Sequence, residues 1–182
     1  LFTVLEVTFN THAQITGVKD EWVFPTREGY ERQLTEISKL VALSKERTKT
    51  FFRTERNLPQ TGNDSMKFGY NGISQFSSIR NRLSSSMLDR LGYKSTGTNL
   101  NLRYQNNTLI AESLFGIKYL LASEDVPNKY GFSLVASEDA VSLYENSNAS
   151  QLAILTNGVY KDVKFTVNTL DNQTALLKQL TG

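Results

Sequence analysis

His12 is the chain's one histidine, so any Ser-His-Asp relay would have to use it. No nucleophile-elbow pattern accompanies it, and His12 reads as a solvated loop residue. Metal chemistry needs clustered ligands. The acid pairs Asp20-Glu21, Glu124-Asp125 and Glu138-Asp139 are adjacent in sequence. On a strand such neighbours point to opposite faces, so they read as strand ends, and neither a metal nor a cofactor is expected. Gly69, Gly72 and Gly92 fit no phosphate-binding loop. The absence of cysteine excludes disulfides, thiolate metal sites and a thiol nucleophile.

Sugar chemistry by two carboxylates needs acids about 5–10 Å apart, a separation that sequence does not supply. Glu112 and Asp89 qualify by type only, helix-surface solvation is the plainer role, and no catalytic residue is assigned. The run around Tyr70, Asn71, Ser74, Gln75 and Phe76 mixes rings with hydroxyls and amides. It has two readings: Tyr70, Asn71, Ser74 and Gln75 contact a sugar, or the segment is a structured turn that packs Tyr70 and Phe76 inward. The N-x-[ST] sequons at Asn63, Asn106, Asn148 and Asn172 are the chance product of a chain rich in Asn, Ser and Thr.

The elements that must position these residues centre on Tyr70–Ser123. Ile79, Leu83, Met87, Leu88 and Leu91 recur at helical spacing, which predicts a helix capped by Ser77 or Ser78 and closed at Gly92. Arg80 and Arg90 are expected to lay their stems along its apolar side and reach water. A shorter helix is expected from Asn107 or Thr108, with Ile110 and Leu114 inward and a stop at Gly116. Ile117–Ala122 then reads as a buried strand, apolar and bounded by Gly116 and Ser123-Glu124-Asp125.

Upstream, the alternation of Leu5, Val7 and Phe9 predicts a strand over Thr3–Phe9, followed by a loop over Asn10–Gly17. Trp22, Phe24 and Pro25 form an aromatic turn into one helix from Arg27 to Lys45. Thr50–Glu55 is expected to be a strand and Asn57–Asp64 a loop. Gly92–Asn107 looks like an exposed excursion, and Val126–Gly131 like a turn. Phe132–Ala136 and Val141–Glu145 make a hairpin, and Leu152–Thr156 and Val163–Val167 read as strands about an Asn157-Gly158 turn. A short helix carrying Ala175, Leu176, Leu177 and Leu180 closes the chain. The order predicts α+β or α/β, with a single mixed β-sheet and flanking helices, in one soluble domain over residues 1–182.

Composition narrows the function classes. At 39% hydrophobic and 21% charged residues the chain is globular. The net charge is +2, and the densest basic cluster (Arg47, Lys49, Arg53, Arg56) is interrupted by Glu46 and Glu55, so it reads as solvated surface and not as a nucleic-acid footprint. No run approaches ~18 apolar residues and no signal peptide is visible. A start at Leu1 suggests a fragment of a longer protein.

Three segments within Phe68–Leu155 form an ordered set: Tyr70–Ser78 leading into a helix that ends Asp89–Tyr93, Ser113–Leu121 (SLFGIKYLL) preceded by Glu112, and Tyr144-Glu145-Asn146. The set resembles the extracytoplasmic domain of the YfhO family, large bacterial polytopic membrane proteins. After Tyr144-Glu145-Asn146 the chain departs from the family pattern and lacks its proline. The resemblance implies a likeness to GT-C glycosyltransferases, which use a polyprenyl-phosphate sugar and, in Gram-positive bacteria, decorate lipoteichoic acid and other wall polymers. The chain would lie on the extracytoplasmic face of the cell membrane and be inactive alone. Its partners would be the membrane-embedded part of the same protein and a cell-wall glycopolymer or polyprenyl-phosphate sugar. The alternative is a non-catalytic scaffold or partner-binding domain. Lys118 and Tyr119 are expected to be structural.

Overall fold

The computed structural model describes residues 1–21, 26–96, 101–105, 107–123, 129–156, 158 and 160–181. The predicted aromatic turn at Trp22–Pro25, the pair Glu124-Asp125, the first half (126–128) of the turn at 126–131, the sequon residue Asn106 and Asn157 lie outside these residues. The chain divides into two compact units, Leu1–Arg32 and Gln33–Gly182.

The first unit is helical: α1 (Phe2–Glu21) and α2 (Arg27–Glu31). The strand and loop expected over residues 3–17 are therefore corrected to one helix. A helix satisfies its own backbone, whereas a strand needs a neighbour, and no described strand pairs with this segment. Its apolar residues do not share one face, so the helical period was hidden. Phe2, Val4, Val7 and Phe9 are all exposed, and so is His12.

The second unit opens with α3 (Leu34–Arg47), whose buried Ile37, Leu40, Val41 and Ser44 follow the helical period. The single helix expected from Arg27 is broken before α3. Gln33 takes φ 60°, and its side-chain carbonyl accepts from Arg56 at 2.7 Å. Then come β1 (Arg53–Arg56), α4 (Asp64–Phe68), β2 (Gln75–Phe76), α5 (Arg82–Arg90), β3 (Lys94–Thr96), β4 (Asn101–Arg103), α6 (Leu109–Leu114), β5 (Ile117–Ala122), β6 (Phe132–Glu138), β7 (Val141–Asn146) and α7 (Thr169–Thr181). The class is α+β, as expected.

A four-stranded mixed sheet has the order β1-β5-β7-β6. β1 runs parallel to β5, and the other pairs are antiparallel. β3 and β4, inside the expected excursion, pair with β2 as a separate three-stranded sheet. β5 is buried along almost its whole length. Tyr119 and Leu121 pack with Ile37, Leu40 and Val41 of α3, while Leu120 and Ile117 join Tyr93, Leu102 and Tyr104.

Helix α5 starts later than its apolar spacing implied. Asn81, not Ser77 or Ser78, caps it by accepting from the Leu83 and Ser84 amides. Ser77 instead turns on itself, donating to the Ile79 carbonyl at 2.6 Å. Ile79 and Leu83 are consequently exposed. The predicted close at Gly92 holds: φ is 105°, the Tyr93 amide reaches the Leu88 carbonyl at 2.9 Å, and Leu88 packs on the cluster that contains Tyr93.

The strands expected at Leu152–Thr156 and Val163–Val167 are absent. Ser150 pins the first segment to α6, its amide to the Ser113 carbonyl and its hydroxyl to the Leu114 carbonyl. In the second, the Thr166 amide is taken by the Asn172 side chain at 2.7 Å. Backbone groups committed to side chains and helix ends are unavailable to a ladder.

Gly116 ends α6 at φ 65°, and a Cβ there would lie 2.9 Å from the Ser150 carbonyl oxygen. Gly116→Ala is expected to cost about 1–3 kcal/mol, from the left-handed backbone and the displaced Ser150 strap. Urea unfolding of the two proteins measures it, and equal midpoints would contradict the argument.

Candidate functional site

Every residue of β1 is polar, yet Thr54, Glu55 and Arg56 are buried. The charged side chains of Glu55 and Arg56 can sit there because they find partners inside the protein, whereas the buried Thr54 hydroxyl has none among the described residues. Glu55, 1% exposed, accepts from the Ile73 amide at 2.6 Å, the Ser74 amide at 3.1 Å and the Ser74 hydroxyl at 2.7 Å. The Tyr104 amide donates in turn to the Ser74 hydroxyl at 2.8 Å. Burial pushes the Glu55 carboxyl up, against these hydrogen bonds, which favour the charged form.

Next to it, Arg56 donates to Asp64 at 2.9 Å, to Gln33 and to Ser123. Asp64 also accepts from the Gln60 and Thr61 amides and the Thr61 hydroxyl. Both partners of this ion pair are buried, which corrects the solvated-surface reading for Arg56, while Arg47 and Lys49 of the same cluster stay exposed. Arg53 likewise turns inward, donating to the Phe115 carbonyl at 2.7 Å.

Glu112 is wholly buried on α6, not solvated on a helix surface. It accepts from the Tyr104 hydroxyl and pairs with Lys129, which also donates to the Tyr104 oxygen at 2.6 Å. Burial raises the Glu112 carboxyl, opposed by the Lys129 charge, and lowers the Lys129 ammonium, opposed by Glu112. Burial also drives the Tyr104 hydroxyl up, reinforced by Glu112. Asp89 stands on α5, half-buried. Glu112 is thus engaged in a clasp with Tyr104 and Lys129.

The residues of the ordered motif set are fasteners. Lys118 and Arg47 both pair with Glu145, at 3.2 and 3.0 Å. Burial pushes the Glu145 carboxyl up, and the hydrogen bonds and charges of Arg47 and Lys118 outweigh this and hold it below its ordinary value. The Tyr119 hydroxyl meets Thr48 at 2.8 Å. The Asn146 side-chain amide donates to the Ile117 carbonyl at 3.1 Å. The structural roles expected of Lys118 and Tyr119 are what these contacts describe.

Of the four candidate sugar contacts, Ser74 serves Glu55, and Tyr70 packs against the core beside Phe68, with its hydroxyl pushed up by burial. The Asn71 side chain donates to the Phe52 carbonyl at 3.2 Å, although the residue stays exposed, and Gln75 is exposed on β2. Phe76 is not packed inward.

An open polar face was missed from sequence. Leu102 is buried, so Asn101 and Arg103 on either side of it in β4 point away from the core. Phe76 lies opposite Asn101, and Lys94 opposite Arg103. Lys94, Arg103 and Phe76 are all exposed. Two like charges directly opposed on a ladder repel. The nine-residue gap between Lys94 and Arg103 carries no signal until the register is known. Nearby in the chain, the three guanidinium nitrogens of Arg80 are buried with no hydrogen-bond partner among the described residues, rather than reaching water as expected. Among those residues no group of acids and histidines gathers to hold a metal.

The profile of the family described as bacterial membrane protein YfhO matches residues 1–182. The chain belongs to that family of bacterial membrane proteins. No curated protein and no solved structure matches it. Among the described residues no helix is long and apolar enough to cross a membrane.

Removing Arg56 leaves the Asp64 carboxylate buried with its counter-charge gone, so Arg56→Met is expected to cost about 3–5 kcal/mol in urea unfolding. Glu55 supplies a pH signature. A carboxyl whose folded pKa is raised holds its proton more tightly when folded, so its contribution shrinks as pH rises from the ordinary 4.5 through the folded value. Wild type should therefore lose stability relative to Glu55→Gln across that window. A stability difference independent of pH would refute this.

Proposed function

We propose that the chain is a non-catalytic, extracytoplasmic domain of a membrane sugar transferase, and that it presents a cell-wall glycopolymer acceptor such as lipoteichoic acid. Transfer from the polyprenyl-phosphate sugar is assigned to the membrane-embedded part of the protein. The observation that carries the reading is the outer face of the small sheet. There a ring (Phe76), an amide (Asn101) and two opposed cations (Lys94, Arg103) lie open together. A polyanion carrying sugars supplies the complement: charge for the cations and an apolar sugar face for the ring. The family resemblance supports the reading, and so does the internal use of the buried acids Glu55, Asp64 and Glu112, which leaves them structural work.

A second reading, a scaffold that docks a protein partner, is favoured by α1, where Phe2, Val4, Val7 and Phe9 are exposed. Docking through α1 would leave the small sheet without a role.

Titrating the 182-residue chain with lipoteichoic acid, followed by NMR at low and high salt, separates the two. Shifts are expected at Phe76, Lys94, Asn101 and Arg103, weakening as salt screens the charges. Lys94→Glu with Arg103→Glu should lower affinity roughly tenfold or more without disturbing the fold, because both side chains are exposed. No shift at any salt would remove acceptor binding from the account.

A further inference from the structure

We propose that the groove between α6, α7 and residues 148–156 is a binding site for the aliphatic chain of a membrane lipid. The groove encloses about 550 Å³ and is walled by Leu109, Ile110, Leu114, Ile154, Leu177 and Leu180. That volume falls within the ~300–1,000 Å³ typical of ligand sites. Among the described residues no charged and no aromatic side chain lines it. Its polar groups are uncharged hydroxyls and one amide, among them Ser113, whose buried hydroxyl has no hydrogen-bond partner among the described residues.

The lining decides the chemistry of the occupant. A nucleotide, a phosphate or a sugar acid needs a cation or a row of donors, which these walls lack. A flexible hydrocarbon chain needs aliphatic surface and space. A hydroxyl such as Ser113 suits a neutral polar head at its end. As part of a membrane protein, the chain works where acyl chains are the abundant aliphatic ligand.

The groove is also held open. Ser150 straps one wall to α6 through the Ser113 and Leu114 carbonyls. Gln173 of α7 bonds the Thr108 hydroxyl at the start of α6 and the Leu91 carbonyl at 2.9 Å, which fixes α7 against α6. Walls fixed by polar contacts cannot close over the apolar gap, so a ligand finds the site preorganised. The lip is apolar too: Ile154 is half exposed and Leu155 wholly so. This also accounts for Ile110 and Leu114, expected to face inward but left half-buried while Ala111 and Glu112 take the core positions.

The inference rests on family membership and the groove, not on the sugar-transfer reading. The test is a titration of the 182-residue chain with n-alkyl maltosides from octyl to dodecyl, each below its micelle concentration, followed by methyl NMR. Methyl signals of Leu109, Ile110, Ile154 and Leu177 should move. Affinity should rise about fourfold per added methylene until the groove is full, then level off. Ile154→Asn should weaken binding about tenfold with unfolding unchanged, because the residue stands at the exposed lip. Leu155→Ser, at the fully exposed position, provides a second variant with no folding risk. Absence of methyl shifts with dodecyl maltoside, or affinity independent of chain length, would overturn the proposal. So would shifts confined to the apolar residues of α1. Failure here leaves the polymer titration at Lys94 and Arg103 untouched, and the reverse also holds.

Discussion

Strand β5 leaves almost no surface to water: β1 and β7 take its two edges, and apolar clusters cover its two faces. A strand enclosed in this way forces every neighbour to solve its own polar accounting, because water cannot reach the backbone or side chains beside it. β1 meets that demand with an all-polar sequence. Thr54, Glu55 and Arg56 lie under the loop at residues 73–74 and beside α4, and the loop donates its amides to Glu55. Arg56 reaches from the sheet to Gln33, Asp64 and Ser123, three separated parts of the chain. One guanidinium with planar, multiple donors can do this where a lysine ammonium could not.

The same constraint accounts for the structural work that so distinctive a motif set performs. Ser74 serves Glu55, Glu112 holds Lys129 and Tyr104, Glu145 gathers Lys118 and Arg47, and Asn146 closes onto the Ile117 carbonyl. These are buried or half-buried polar links between segments distant in sequence. A buried polar network is valuable only when its members are satisfied, and it penalises any other arrangement of the same segments. Their contribution is to choose one packing, with β1, β5 and β7 in a single register.

What remains for recognition is the surface that this scaffold holds steady. Two regions differ from an ordinary solvated exterior. The small sheet turns two opposed cations and a phenyl ring outward, and the groove beside α6 offers hydrocarbon walls with no charge among the described residues. One favours a polyanion, the other an uncharged chain.

The sequence by itself determined the parts whose signals are local. Ile117–Ala122 was legible as a buried strand because an apolar run bounded by Gly116 has few other ways to fold. Thr108 at the start of α6, Gly92 at the end of α5 and the β6–β7 hairpin followed from capping and turn chemistry that acts over a few residues. The ordered motif set carried the family. Tertiary structure decided the rest, because it depended on partners distant in the chain. Residues 3–9 alternate like a strand yet form a helix, and no described strand pairs with them. Glu55 and Arg56 looked solvated because the amides and carboxylate that bury them lie 8 to 19 residues away. Lys94 and Arg103 became a pair only through the β3–β4 register, and the groove exists only where α6, α7 and the Ser150 strap converge. Charge, burial and hydrogen bonding at those positions are properties of the assembled fold, because sequence proximity alone does not say which residues face each other.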